Sequence, residues 1–316
     1  MKLSLIVPCY NEEGNVEKFY DAVNEVFENK VENYEFVFVN DGSNDETRKN
    51  LKNLYYNKNS GNNIQVLSFS RNFGKEAAIY AGLSKAKGDI VCLIDADLQQ
   101  RPEVVIEMLD VMKSDDDIDC VTAYQEKRKE SKVVSFAKSV FYKTINKASD
   151  VDFVNGASDF RLMKRSVVDA ILQMTEYHRF SKGMFSYVGF NTKYIPYEVA
   201  ERESGESKWG VRKLIKYAFE GIFAFSTMPL KISMYIGILL VFLSVIGFAA
   251  SIFIGEALAV STALIISALF LIGGIVLVCI GIVGEYLSKM YIQGKNRPVY
   301  ILKEHLDDEK DNSISQ

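Results

Sequence analysis

The chain has 316 residues and a formal net charge of -4 at pH 7, with no basic stripe interleaved with aromatics, a balance that excludes a general attraction to nucleic acid. Its four cysteines stand singly, without a CxxC or Cys/His ligand spacing, and there are two histidines, so buried reduced thiols are expected rather than a zinc site. The 48% hydrophobic content is unevenly spread: residues 1 to about 230 have the mixture of a soluble domain, whereas 232–284 are almost uncharged.

Leu3–Val7 is an apolar run consistent with a buried strand, entered directly after Lys2 with no cleavage site, so no signal peptide is expected. A loop from Pro8 to Gly14 leads into an amphipathic helix through about Asn29. Glu35–Asp41 is the second strand and ends in an acid, followed by a turn and helix cap at Gly42–Asp45. Ile64–Phe69 is the third, a helix over Lys75–Lys87 leads to a fourth at Asp89–Asp95, and a fifth follows at Asp119–Ala123. Strands alternating with helices of this length predict an α/β fold with a largely parallel sheet covered on both faces.

The fourth strand is where chemistry concentrates. In Val91-Cys-Leu-Ile-Asp-Ala-Asp-Leu-Gln99 an apolar run ends abruptly in acid, and strand alternation would aim Asp95, Asp97 and Gln99 to one side. Carboxyl ends of strands border the crevice where open α/β sheets bind ligands. Two carboxylates and an amide oxygen suit Mg²⁺ or Mn²⁺, which keep sites open for substrate phosphates and water.

Further along, Lys127, Arg128, Lys129, Lys132 and Lys138 accompany an apolar helical face from Val133 to Ile145, which packs on its own core or forms a cationic, greasy rim for an anionic lipid. Arg128 is the best phosphate contact there, since a guanidinium grips phosphate bidentately. Asp159 and Arg161 share one side of a strand and can pair. Arg202, Ser207 and Lys208 gather around Gly205, which lets backbone approach a ligand closely.

Val211 to Phe223 carries an apolar stripe with Arg212, Lys213 and Lys216 off it, the pattern of a helix lying in a membrane interface. Ile232 to about Ile254 and Thr262 to about Gly284 are each long enough to span a bilayer. Lys231, Lys289, Lys295 and Arg297 flank the spans, while the short connection between them has no Lys or Arg, so both termini are expected in the cytoplasm. Gly273, Gly274, Gly281 and Gly284 offer small faces for close packing, between copies in a homo-oligomer or within one chain. Four units result: an α/β domain over 1–210, an interfacial helix over 211–229, a two-helix hairpin over 230–286 and a polar C-terminal segment over 287–316.

Val7-Pro-Cys-Tyr-Asn-Glu-Glu13, Val39-Asn-Asp-Gly-Ser43, Ser70-Arg-Asn-Phe-Gly-Lys75 and Asp95-Ala-Asp-Leu-Gln99 resemble, in this order and spacing, glycosyltransferase family 2 with its GT-A (Rossmann-like) fold. Within it the chain is similar to polyprenyl-phosphate sugar synthases, the dolichyl-phosphate mannose synthases and, more closely, the two-span bactoprenol glucosyltransferases. The resemblance implies that Asp97 and Gln99 hold the metal, with Asp95 near it or the ribose, while Asp41 accepts from the base. Pro8, Tyr10 and Glu12 would line the nucleotide pocket, with Arg71 and Lys75 near the diphosphate. Asp159 matches an acid near the acceptor, and Arg202, Ser207 and Lys208 a loop that closes over the donor diphosphate and the lipid phosphate.

The implied activity is inverting transfer of one hexose, glucose from UDP-glucose first, to undecaprenyl phosphate at the cytoplasmic membrane. A downstream flippase and second glycosyltransferase would serve a cell-envelope glycan. The absence of a Gln-x-x-Arg-Trp motif disfavours a processive polymerase. Other donors (GDP-mannose, UDP-N-acetylglucosamine) stay open, as does a catalytically silent nucleotide-sugar-binding protein that recruits or regulates another transferase or a flippase.

Overall fold

The computed structural model describes residues 1–59, 63–125, 157–198, 228–251 and 258–307. Its strands are β1 (Leu3–Cys9), β2 (Tyr34–Asn40), β3 (Ile64–Phe69), β4 (Ile90–Leu93), β5 (Cys120–Gln125), β6 (Ala157–Lys164), β7 (Thr192–Tyr197) and β8 (Leu302–Leu306). Its helices are α1 (Val16–Phe27), α2 (Thr47–Lys58), α3 (Lys75–Lys85), α4 (Pro102–Ser114), α5 (Arg165–Leu172), α6 (Ser181–Tyr187), α7 (Met228–Ser251) and α8 (Leu258–Gly294). One eight-stranded sheet runs in the order β7-β5-β6-β4-β1-β2-β3-β8. The arrangement is α/β, with a mixed, mostly parallel sheet.

Strands β1, β2 and β3 are buried at nearly every position rather than at alternate ones because helices cover both faces. On one face Leu5, Val7, Phe36 and Phe38 meet Phe19 and Val23 of α1 and Met108 of α4. On the other, Ile6, Val37 and Leu67 meet Ala78 and Ala81 of α3 and Val168 of α5. The small residues of α3 let it lie close to the sheet. At Gly82 an added Cβ would stand 2.3 Å from the Ile6 Cγ2 atom.

Several elements differ from the sequence pattern. Strand β1 continues through Pro8 to Cys9; β4 pairs with it only as far as Ile6, so beyond that point β2 is its neighbour and the missing proline N–H costs no second ladder. Strand β4 stops at Leu93, short of Asp95. Strand β6 runs antiparallel to both β4 and β5, and β8, which no pattern predicted, closes the sheet antiparallel to β3. The C-terminal segment expected over 287–316 thus returns to the catalytic domain.

Helix α8 is long and apolar enough to cross a membrane, and it continues past the predicted end at Gly284 to Gly294. Large apolar side chains such as Tyr235, Leu239, Phe242, Leu269 and Leu277 face outward on α7 and α8. Open space lies beside Gly273, Gly274, Gly281 and Gly284. Arg128 with its basic neighbours, Arg202, Ser207, Lys208, the predicted interfacial helix and the last residues lie outside the described residues.

Glu35 ties the amino end of the sheet together. Its buried carboxylate accepts from the Lys2 Nζ, the Ser4 Oγ and the Lys87 N–H, each at 2.6 Å. Glu35→Ala would leave the proton of the buried Ser4 hydroxyl and the Lys87 N–H without their acceptor. We expect it to lower stability by about 2–3 kcal/mol, read as a shifted urea midpoint of the detergent-solubilised protein.

Candidate active site

From β1 the chain moves outward to β2 and β3, then crosses back through α3 to β4 on the other side of β1. Loops leaving β1 and β4 therefore part, and a crevice opens at their carboxyl ends, the usual ligand position in an open α/β sheet. The candidate residues collect around that crevice.

The loops after β1 and β2 are stitched together. The Asn11 N–H donates to the Ser43 Oγ at 3.0 Å, the Asn44 N–H to the Asn11 Oδ1 at 3.0 Å, and the Glu12 N–H to the Thr47 Oγ1 at 2.8 Å. Asn11 sits at φ 54, a conformation asparagine tolerates better than most residues. The Glu12 carboxylate accepts from the Asn15 Nδ2 at 2.6 Å, and Pro8 and Tyr10 are half-buried beside it.

Asp41 braces the loop that opens α3. Its carboxylate, expected to face a base, is buried and accepts from the Phe73 N–H at 2.7 Å and the Gly74 N–H at 2.9 Å. A buried carboxylate takes the nearest donors, and here these belong to the loop that opens α3. Burial pushes the Asp41 pKa up, while the two amides and the Arg71 charge partly offset that rise. Gly42 completes the clasp: at φ 60 it lies against the same loop, and a Cβ would stand 2.2 Å from the Arg71 carbonyl carbon. The Arg71 guanidinium stands over the Phe73 ring, 4.0 Å from its centroid.

Because β4 ends at Leu93, strand alternation does not orient Asp95, Asp97 and Gln99; a turn does. Leu98 adopts φ 57 in this turn, a strained value for a branched side chain of the kind that clusters at functional sites. Gln100, which the sequence pattern did not single out, holds the turn. It accepts from the Asp95 N–H at 2.9 Å and donates to the Asp95 Oδ2 at 3.3 Å. The Gln99 N–H donates to the Asp97 Oδ1 at 3.2 Å.

Lys75 joins the two sides of the crevice. Its Nζ lies 2.7 Å from the Asp95 Oδ1 and 3.4 Å from the Asp159 Oδ2. Asp159 lies on β6 two residues before Arg161, which pairs with Leu93 at the last rung of β4, so β6 carries it past the strand end where the turn holding Asp95 begins. Burial would lower the ammonium pKa, but Asp95 and Asp159 outweigh it and hold Lys75 charged. Burial would raise Asp159, but Lys75, Lys182 and Arg161 outweigh it and hold its carboxyl below the usual range. Arg161 itself stacks over Phe185 at 3.6 Å and donates to the Ser158 carbonyl at 3.0 Å. The close ion pair of Asp159 is therefore with Lys75, where the sequence pattern offered Arg161.

Glu76, next to Lys75, accepts from both the N–H and the hydroxyl of buried Ser181, tying α3 to the start of α6. Burial, reinforced by the Asp159 charge, pushes its pKa up to about 7 against those bonds. Cys9, Cys92 and Cys120 are buried free thiols with raised pKa values, chemically quiet as expected.

Among the described residues no three His, Cys, Asp or Glu side chains cluster as a metal cage. Asp95, Asp97 and Gln99 still fit a hard cation, because Mg²⁺ and Mn²⁺ commonly take one or two carboxylates and complete their shells with substrate phosphates and water.

The Glu76 pKa gives a stability test. A carboxyl raised from 4.5 unfolded to about 7 folded keeps more protons in the native state between those values. Its contribution is fully present below pH 4.5 and is lost as pH rises through 7. Glu76→Gln should flatten that part of the stability profile, measured as denaturation midpoints from pH 5 to 8.

The sequence profile of glycosyl transferase family 2 matches residues 4–172. The chain is 39% identical over 307 residues to a prophage bactoprenol glucosyl transferase homolog of Escherichia coli K12, covering 96% of this chain and 99% of that one. It is likewise 39% identical to the bactoprenol glucosyl transferase of Shigella phage SfII, covering 96% and 98%. Among solved structures it is similar to glucosyl-3-phosphoglycerate synthase from Mycobacterium tuberculosis, at 18% identity over 70% of this chain and 76% of that one, with a TM-score of 0.48. With a family profile spanning most of its sheet and relatives of equal identity along nearly its whole length, the chain belongs to glycosyl transferase family 2.

Proposed function

We propose that this glycosyltransferase moves one glucose from UDP-glucose to undecaprenyl phosphate with inversion, on the cytoplasmic face of the cell membrane. The observation that carries this reading is the 39% identity, over 96% of the chain, to relatives named bactoprenol glucosyl transferase. The apolar length of α8 agrees with an acceptor held in a bilayer. On this reading α7 and α8 both span the membrane, both termini lie in the cytoplasm, and the glycosyl lipid passes to a flippase and a second transferase for a cell-envelope glycan.

The donor would lie across the loops after β1, β2 and β4, with its nucleotide toward Pro8, Tyr10, Glu12 and Asp41 and its diphosphate toward Asp95, Asp97, Gln99 and Arg71. Asp97 and Gln99, with Asp95, would hold Mg²⁺ or Mn²⁺, which when bound supplies positive charge to the departing diphosphate. Lys75 offsets part of the charge of Asp95 and Asp159, so that an anionic donor meets less of their repulsion. The lipid phosphate oxygen attacks the anomeric carbon from the face opposite the diphosphate, forming the new carbon–oxygen bond as the old one breaks.

A phosphate acceptor is largely ionised near neutral pH and does not require a strong base. The lowered pKa of Asp159 supports a role in orienting groups and setting charge rather than abstracting a proton. Arg128, Arg202, Ser207 and Lys208 are assigned by sequence to the phosphates, where cations offset the repulsion between two anionic substrates.

The purified full-length protein, given undecaprenyl phosphate, Mg²⁺ or Mn²⁺ and radiolabelled nucleotide sugars, should form a lipid carrying a single glucose. Asp97→Asn or a chelator should reduce transfer by about 100-fold or more. Transfer of another sugar would replace the donor assignment, a ladder of products would identify a polymerase, and nucleotide binding without transfer would defeat the enzymatic reading.

A further inference from the structure

Past Gly284, α8 carries no further uncharged run, yet it continues to Gly294 and the chain then folds back onto the catalytic domain. Near its end, the Gln293 side chain reaches two backbone groups of the segment between α5 and α6. Its Oε1 accepts from the Tyr177 N–H at 2.7 Å and its Nε2 donates to the Thr175 carbonyl at 3.3 Å. That segment ends in Ser181, the partner of Glu76.

The chain then turns through Asn296, at φ 47, and Tyr300 stacks on Phe69 with ring centroids 4.9 Å apart and planes 14° apart. The Ile301 carbonyl accepts from the Ser70 N–H at 3.0 Å. Strand β8 then pairs with β3, and Glu304 binds Arg48 at 2.9 Å and Lys52 at 2.6 Å. Ser70 opens the loop whose Phe73 and Gly74 amides are held by Asp41. Residues 293–307 therefore touch both segments that flank Lys75 and Glu76.

We infer that residues 293–307 form a strap that sets the catalytic crevice at a fixed height and tilt over the bilayer, with Gln293 and Tyr300 as positioning residues for transfer to a membrane-held phosphate. This rests on α8 as a span and on the lipid-phosphate acceptor proposed above. From Glu285, the first charge after the apolar run, eight helical residues carry Gln293 about 12 Å outward. The polar zone on each side of a hydrocarbon core is roughly 5–8 Å deep. The dock thus lies just outside the headgroups, next to the layer in which a polyprenyl phosphate presents its charged end. Exposed hydrogen bonds such as those of Gln293 add little stability, so their consequence is orientation.

The test uses full-length protein in lipid nanodiscs, comparing Gln293→Ala, Tyr300→Ala and the stack-preserving Tyr300→Phe. For the two alanine variants the KM for undecaprenyl phosphate should rise about tenfold. The KM for UDP-glucose and turnover of a short-chain, water-soluble isoprenyl phosphate should stay within about twofold, and Tyr300→Phe should match the parent. Unchanged lipid KM in both alanine variants, or equal loss on the soluble acceptor, would overturn the strap.

Amide hydrogen exchange at Phe73 and Gly74 gives a readout independent of turnover. It should accelerate at least tenfold in Tyr300→Ala with little change in the unfolding midpoint, and unaltered exchange would also overturn the inference. If the parent protein transfers to no acceptor, the functional proposal fails, and the exchange result alone then decides the link between strap and crevice.

Discussion

Two carboxylates brought from different segments into one crevice repel each other and raise each other's proton affinity unless a cation stands between them. Lys75 is that cation for Asp95 and Asp159. Much of the surrounding structure can be understood as the means of placing it. Asp41 and Gly42 fix the loop that opens α3, Gly82 brings α3 down onto β1, and Glu76 fastens the same helix end to Ser181. Gln100 holds the opposing Asp95 from behind. The triad is thus assembled from three segments, the start of α3, the turn after β4 and strand β6, none of which could place it alone.

The arrangement also bears on the proposed chemistry. A donor diphosphate and an acceptor phosphate both bring negative charge, and a crevice with unpaired carboxylates would oppose them. Pairing through Lys75 lets Asp95 and Asp159 remain ionised at the site without presenting their full charge. An acid kept ionised this way is a weak base, which suits an acceptor that arrives already deprotonated. On the proposed reading, the aspartates and the amide of the turn after β4 would offer oxygen donors to a hard cation and leave the rest of its shell to substrate.

The sheet has a second task beyond the site. By adding β8 to the edge at β3, it returns the chain from an apolar helix to the loop before α3. An edge strand that would otherwise offer unpaired backbone is covered by the protein's own C-terminal segment. In the strap proposed here, that pairing serves to orient a soluble catalyst toward a bilayer.

Sequence alone determined what depends on local order: the alternation of apolar strands and amphipathic helices, the acids and glycines at strand ends, the two long uncharged stretches, and the four motifs that place the chain in its family. These are properties of neighbouring residues, governed by periodicity and backbone preference. The tertiary structure decided what depends on register and crossing. Strand β4 stopped at Leu93 because a turn braced by Gln100 takes over there, so the turn orients Asp95, Asp97 and Gln99. Asp159 came near Asp95 because β6 runs antiparallel past the end of β4 and Lys75 bridges the two, and Asp41 turned inward because the amides of Phe73 and Gly74 were its nearest donors. Strand β8 was hidden because the short, charged run Leu-Lys-Glu-His-Leu resembles a solvated tail until β3 supplies its hydrogen bonds and Arg48 and Lys52 its counter-charges.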